Sequence, residues 1–229
     1  MFKKLLTYAL VFRQIRRTHG NKLNHMKKQS LLLTAVAVCL GTASAFAAVT
    51  SNVVGYVNKS LPVGLSLIAN QLDNKTGNKL PDVLPTLPDG ANVFKFNGAG
   101  YASVGYFGGY DAGADAITLN PGEGAFIYVD TASTLTFAGE VRQGNLSTPL
   151  VGNGLTVAAS QVPQGGSIET LGFVPHDGDT VYQFAGGKFT ALGYFGGWDA
   201  GSAPSLAIGE AVFILTDVNR SWDRTFVVN

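Results

Sequence analysis

The nonapeptide "GYFGGYDAG" at Gly105–Gly113 returns 88 residues later as "GYFGGWDAG" at Gly193–Gly201, with only Tyr110 exchanged for Trp198. Nothing else in the chain constrains its fold so strongly, because a segment this specific, written twice, demands the same local surroundings twice. Other stretches follow it. "PDGANVFKF" (Pro88–Phe96) matches "HDGDTVYQF" (His176–Phe184), and "LNPGEGAFIY" (Leu119–Tyr128) matches "LAIGEAVFIL" (Leu206–Leu215). "LSLIANQ" (Leu65–Gln71) matches "LTVAASQ" (Leu155–Gln161), and "TLTFAGEV" (Thr134–Val141) is matched to the C-terminal "DRTFVVN". The offsets stay between 87 and 90 residues. That period is longer than those of the common solenoids, so it predicts two domain-sized units, 48–141 and 142–229.

Within each unit the signals are those of strands. "ANVFKF", "YASVGYF" and "GAFIYV" alternate or nearly alternate, are rich in Val, Ile, Phe and Tyr, and are separated by turn residues. Asn97-Gly98 and Gly186-Gly187 are hairpin chemistry, since both residue types tolerate positive φ. Helical candidates are confined to "NKLPDVL" (Asn78–Leu84) and "SIETLG", with Ser167 as a cap and Gly172 as a stop. About six short strands per unit predict an all-β fold, two tandem small barrels or sandwiches with short helical turns. The strands "VVGYV" and "RTFVV" near the two ends would expose pairing edges, so both are expected to be covered, either by each other or by the neighbouring unit; left open, they would permit self-association by strand addition.

The N-terminal region reads as targeting information. From Met26 the chain has two lysines, a short apolar run and small residues ending in Ala45-Phe46-Ala47, the pattern of a bacterial-type secretory signal cleaved after residue 47. Residues 1–25 read as a start assigned too early, or as a leader extension. The expected location is therefore exported: extracellular, at the outer cell surface, or periplasmic. No stretch is long enough for a membrane span. Residues 1–47 hold eight of the sixteen Lys and Arg and none of the fifteen Asp and Glu, so the chain from residue 48 carries a formal charge of −7. That balance disfavours nucleic acid and anionic lipid as partners. The same region has no cysteine and a single histidine, His176, which excludes the usual zinc ligand sets; no cofactor is expected.

The candidate ligand-binding residues are those of the repeated motif: Tyr106, Tyr110 and Asp111 in one copy, Tyr194, Trp198 and Asp199 in the other. An aromatic face beside a carboxylate is what a sugar platform needs, because the ring stacks on C–H groups and the carboxylate accepts hydroxyl hydrogen bonds. The competing reading has the ring closing its own unit while the Asp orders a Gly-rich loop. Glu123 and Glu210 also recur, and with Asp111 and Asp199 they supply the carboxylate pair that glycoside hydrolysis requires, although a Glu between small residues more often braces a turn. His176 sits in a turn where the other copy has Pro88, and neither G-x-S-x-G nor a P-loop occurs, so no catalytic residue is assigned.

The order "GLSLIANQ … VFKFNGAGY … LNPGEGAFIYV", repeated as "GLTVAASQ … VYQFAGGKF … LAIGEAVFILT", resembles secreted β-repeat surface proteins of environmental Gram-negative bacteria. It is also similar in layout to surface-associated modules with a "GWNLIGNP … PGQGFFV" pattern. The resemblance implies an exported, non-catalytic structural or interaction role in a matrix or in adhesion, with polysaccharide or other surface proteins as partners. Carbohydrate binding is the alternative, and a glycan-active enzyme ranks third. The second copy departs from the pattern at Ile208 and Ala211, where the first has Pro121 and Gly124.

Overall fold

The computed structural model describes residues 53–228; the expected signal peptide, the stretch before it and residues 48–52 lie outside them. The first half contains β1 (Val54–Leu61), β2 (Gly64–Ala69), a one-turn helix α1 (Leu80–Val83), β3 (Asn92–Phe96), β4 (Tyr101–Gly105), β5 (Gly124–Val129) and β6 (Ser133–Glu140). The second contains β7 (Gly144–Leu150), β8 (Gly154–Ala158), β9 (Gly166–Ser167), β10 (Thr180–Ala185), β11 (Lys188–Gly193), β12 (Ser205–Leu206), β13 (Val212–Thr216) and β14 (Arg220–Phe226). The fold is all-β. "SIETLG" forms one capped turn instead of a helix: the Thr170 N–H donates to Ser167 Oγ at 3.2 Å, and Gly172 leaves the turn with φ of 96°.

Strand order is the same in both halves. Four strands form an antiparallel sheet β2-β5-β3-β4, and four form β8-β13-β10-β11. The first and last strands of each half pair with each other instead, β1 with β6 and β7 with β14. Each terminal strand is thus paired on one side from within its own half, and not by the other terminal strand or the neighbouring unit as expected, because the partner strand of the same half lies in register beside it. These two-stranded ribbons share no ladder with the four-stranded sheets, so no closed barrel forms among the described residues. The ladders also correct the register at the C-terminus. Ser133 opposes Leu61 and Arg220 opposes Leu150, which sets Leu135 and Trp222 in matching buried places, two residues away from the match read in the sequence. A two-residue slip keeps every side chain on its face, which is why pattern alone does not detect it.

Central strands are apolar on both faces because both faces are covered. In the first sheet Ile68, Val93 and Ile127 turn toward Leu61, Leu135 and Phe137 of the β1–β6 ribbon. Val181, Val212 and Ile214 likewise meet Leu150 and Trp222 of the β7–β14 ribbon. The opposite faces meet each other: Leu67, Phe94, Phe96 and Phe126 pack with Val157, Tyr182, Phe184, Ala211 and Phe213. Contacts across this seam come in exchanged pairs, as a local two-fold relation between the halves produces. Ile68 bridges Glu210 and Ala158 bridges Glu123; the Ala69 N–H donates to Gly209 O at 3.0 Å and the Ala159 N–H to Gly122 O at 2.9 Å. Phe96 meets Phe213 at 5.5 Å between ring centres, and Phe184 meets Phe126 at 4.9 Å. All described residues belong to one compact unit.

Candidate functional site: the repeated tip loops

The nonapeptide leaves the far end of β4 in one half and of β11 in the other, and folds the same way twice. Tyr106 bridges Tyr110, and Tyr194 bridges Trp198, closing a tight loop. The Phe107 N–H donates to Gly109 O at 2.8 Å, and the Phe195 N–H to Gly197 O at 2.9 Å. Gly108 and Gly196 sit at φ of 65° and 63°, a region that side chains with Cβ rarely adopt. A Cβ at Gly105 or Gly193 would stand 2.6 Å from Oδ2 of Asp111 or Asp199 and would turn that carboxylate away from the loop. A second turn braces each loop. Asp89 Oδ1 accepts the Gly108 N–H at 2.6 Å, and Asp177 Oδ1 accepts the Gly196 N–H at 2.6 Å.

The six residues singled out in the sequence are brought together within each loop but not between loops. Tyr106 and Tyr110 pack on the core of the first half, Tyr194 and Trp198 on that of the second. Their rings meet edge to face, 5.0 and 5.3 Å apart. Tyr110 is half-buried and Trp198 buried, each with its polar atom directed to the protein. Tyr110 Oη donates to Leu84 O at 2.6 Å, and Trp198, only 9% exposed, donates from Nε1 to Glu169 Oε1 at 2.7 Å. The expected aromatic platform is therefore turned inward, because each polar ring finds an acceptor, the buried Leu84 carbonyl or the exposed Glu169 carboxylate, and an apolar bed. Asp111 and Asp199 lie over their own loop backbones, and Asp199 Oδ2 accepts the Gly193 N–H at 3.1 Å.

Glu123 and Glu210 sit elsewhere, at the seam between the sheets. Glu123 Oε2 accepts the Asn120 N–H at 2.9 Å and pairs with Lys95 at 2.9 Å; Glu210 accepts the Ala207 N–H at 2.8 Å and pairs with Lys59 at 3.2 Å. Each carboxylate braces the turn three residues before it. The His176 N–H donates to Asp179 Oδ2 at 2.7 Å, again within a turn. Among the described residues no three His, Cys, Asp or Glu side chains cluster as a metal site, and no helix is long and apolar enough to cross a membrane.

Burial, reinforced by neighbouring Tyr106, pushes the Tyr110 phenol above its ordinary value. A raised folded-state value means that this contribution to stability is complete below the unfolded phenol value of about 10 and is lost as pH rises beyond it. Tyr110→Phe should cost about 1 kcal/mol at neutral pH, since Leu84 O loses its donor, and should flatten the decline in stability above pH ~10. Urea unfolding of both proteins at the two pH values checks this; parallel pH profiles would contradict it.

Two features of the loops escape a reading of the sequence. Asp89-Gly90 and Asp177-Gly178 read as turns, but the bonds from Asp89 and Asp177 to the tip loops are one, although their recurrence at the motif's own 88-residue offset is a usable signal. The other is the side chain at each tip: Phe107 and Phe195 are both 81% exposed. Comparison with known proteins finds no matching family, curated protein or solved structure.

Proposed function

We propose that this is an exported, non-catalytic protein of the cell surface or extracellular matrix that grips its partners through the two tip loops. The observation that carries the reading is the pair Phe107 and Phe195. Every other aromatic or acidic side chain of the nonapeptide is engaged internally. Tyr106 and Tyr110 pack, as do Tyr194 and Trp198, and the two Asp residues lie against the loop backbone. The two phenylalanines are not so engaged, yet both copies keep an apolar ring in water. A single exposed apolar residue needs no explanation. Two on identically braced loops present rigid aromatic anchors, the type of residue on which interfaces concentrate their binding energy. Glu123 and Glu210 each accept a backbone N–H and pair with a lysine, and Asp199 accepts the Gly193 N–H, which favours a binding role over a catalytic one.

The test is made in the producing bacterium. Wild type should sediment with the cell envelope and be removed from intact cells by protease, whereas Phe107→Ser/Phe195→Ser should be released to the medium several-fold more. Thermal stability of the double variant should stay within about 0.5 kcal/mol of wild type, because both rings are exposed. Equal retention of the two proteins, or recovery only from the cytoplasm, would overturn the proposal.

A further inference from the structure

The sheets do not cover each other completely. Beyond the seam, one face of β2, β5, β3 and β4 stays open and, walled by the β10–β11 hairpin, encloses a cavity of about 390 Å³. Its floor is Leu65, Phe94, Phe126 and Tyr128, and its walls include Tyr101, Phe184 and Phe189. The rings form an edge-to-face chain, with Phe126 to Phe184 and Phe184 to Phe189 both 4.9 Å between centres. Such a lining suits an apolar ring, whose edges and faces it can match. Among the described residues it holds no carboxylate or amide beside its rings, only the hydroxyls of Tyr101 and Tyr128, too few partners for the polar groups of a hydroxyl-rich sugar.

The molecule therefore carries two exposed phenyl rings and an open, ring-lined cavity, and it cannot join them within one chain. Tyr101 opens β4, while Phe107 lies two residues beyond its end; Phe189 lies near the start of β11, while Phe195 lies two residues beyond its end. In each hairpin the cavity wall and the tip are separated by five or six residues of extended chain, about 17–20 Å. Charge also fits. Asp89 and Asp111, or Asp177 and Asp199, flank each tip, and Lys188, exposed beside Phe189, has no ion-pair partner among the described residues.

We infer that the partner of the tip loops is a second copy of this chain, with Phe107 or Phe195 of one molecule seated in the cavity lined by Leu65, Phe126 and Phe189 of the next. This deepens the surface-protein reading and rests on it. Because knob and cavity are different surfaces, the contact is head-to-tail, and a molecule joined through one of them still presents the other, so assembly continues beyond a dimer into a ring or an open chain.

The experiment is light scattering on the purified protein over a concentration series. Wild type should grow in mass with concentration, past two chains. Phe107→Ser/Phe195→Ser, which keeps the cavity, should stay monomeric, and so should Leu65→Glu, which keeps the knobs but places a charge on the cavity floor. Leu65→Trp fills the cavity without adding charge and should behave like Leu65→Glu; far-ultraviolet circular dichroism checks that all variants fold. The decisive arm mixes the knobless protein with Leu65→Glu. Neither grows alone, but together they should form complexes capped at three chains, since one molecule brings two knobs and each knobless partner one cavity. A monomeric wild type, assembly that survives in either variant (as pairing through the β4 or β11 edges would give), or a mixture that stays monomeric would each overturn the inference. Wild type that is monomeric in solution yet held on cells through Phe107 and Phe195 would leave the surface role standing and make the partner a different molecule.

Discussion

Gly124→Ala is expected to destabilise the protein by about 3 kcal/mol, at the upper end of what one added methyl group costs in a packed core. Gly124 opens β5 at the seam between the two sheets. A Cβ built there would stand 2.4 Å from Ala211 Cβ, 2.7 Å from Val157 Cγ1 and 2.8 Å from Ile68 O. One of these neighbours is backbone within a ladder and cannot swing aside. Gly124 and Ala211 hold the same place in the two halves and face each other across the local two-fold, so there is room for one methyl group, not two. The departure from strict repetition seen at this position thus has a steric reason. Its test is a double-mutant cycle by chemical unfolding. Gly124→Ala/Ala211→Gly should recover at least about 1 kcal/mol of the loss. Full recovery is not expected, because Val157 and Ile68 O remain close. Strict additivity of the two changes would sink the explanation.

Removing Asp179 should cost about 3–5 kcal/mol, the range for breaking a buried ion pair from one side. The Asp179 side chain is fully buried, pairs with Arg220 and accepts the His176 N–H at 2.7 Å. Arg220 also donates to Val174 O at 2.6 Å and lies over the Phe173 ring, 5.0 Å from its centre. In the first half the matching position is Ala91, itself buried, and no charge is present there. Asp179→Ala alone leaves a guanidinium in an apolar setting without its carboxylate. Asp179→Ala/Arg220→Leu removes both charges and should return most of the loss, because the other half shows that a methyl group suffices at this place. In a domain of this size the single change should lower the melting temperature by about 6–20 °C. A drop of only one or two degrees, or a double variant no better than the single one, would show that the pair is not what secures this corner.

Much of the architecture was legible in the chain because its signals are local. Alternation in "ANVFKF" and "GAFIYV" needs only neighbours two residues apart, and it correctly pointed to strands. The turn at Gly186-Gly187 needs only two residues free to take positive φ, and both do so, at 56° and 76°. The short helix in "NKLPDVL" follows from a proline in its first turn. The direction in which Tyr110 and Trp198 point was not legible. An aromatic residue beside a Gly-rich turn reads the same whether its ring meets water or a core, and the acceptors that turn it inward, Leu84 O and Glu169, lie 26 and 29 residues away. The exposure of Phe107 was hidden for the converse reason, since an apolar ring after a strand reads as core.

Local periodicity and turn chemistry, written twice at a near-constant offset, are enough to determine strands and hairpins, because each depends on contacts close along the chain; the strand order rests on ladders such as Leu65 with Tyr128, far apart in sequence. Which faces meet, which glycine must remain bare and which rings stand in solvent depended on packing between residues far apart in sequence. Only the folded molecule brings Gly124 against Ala211, or leaves Phe195 in solvent.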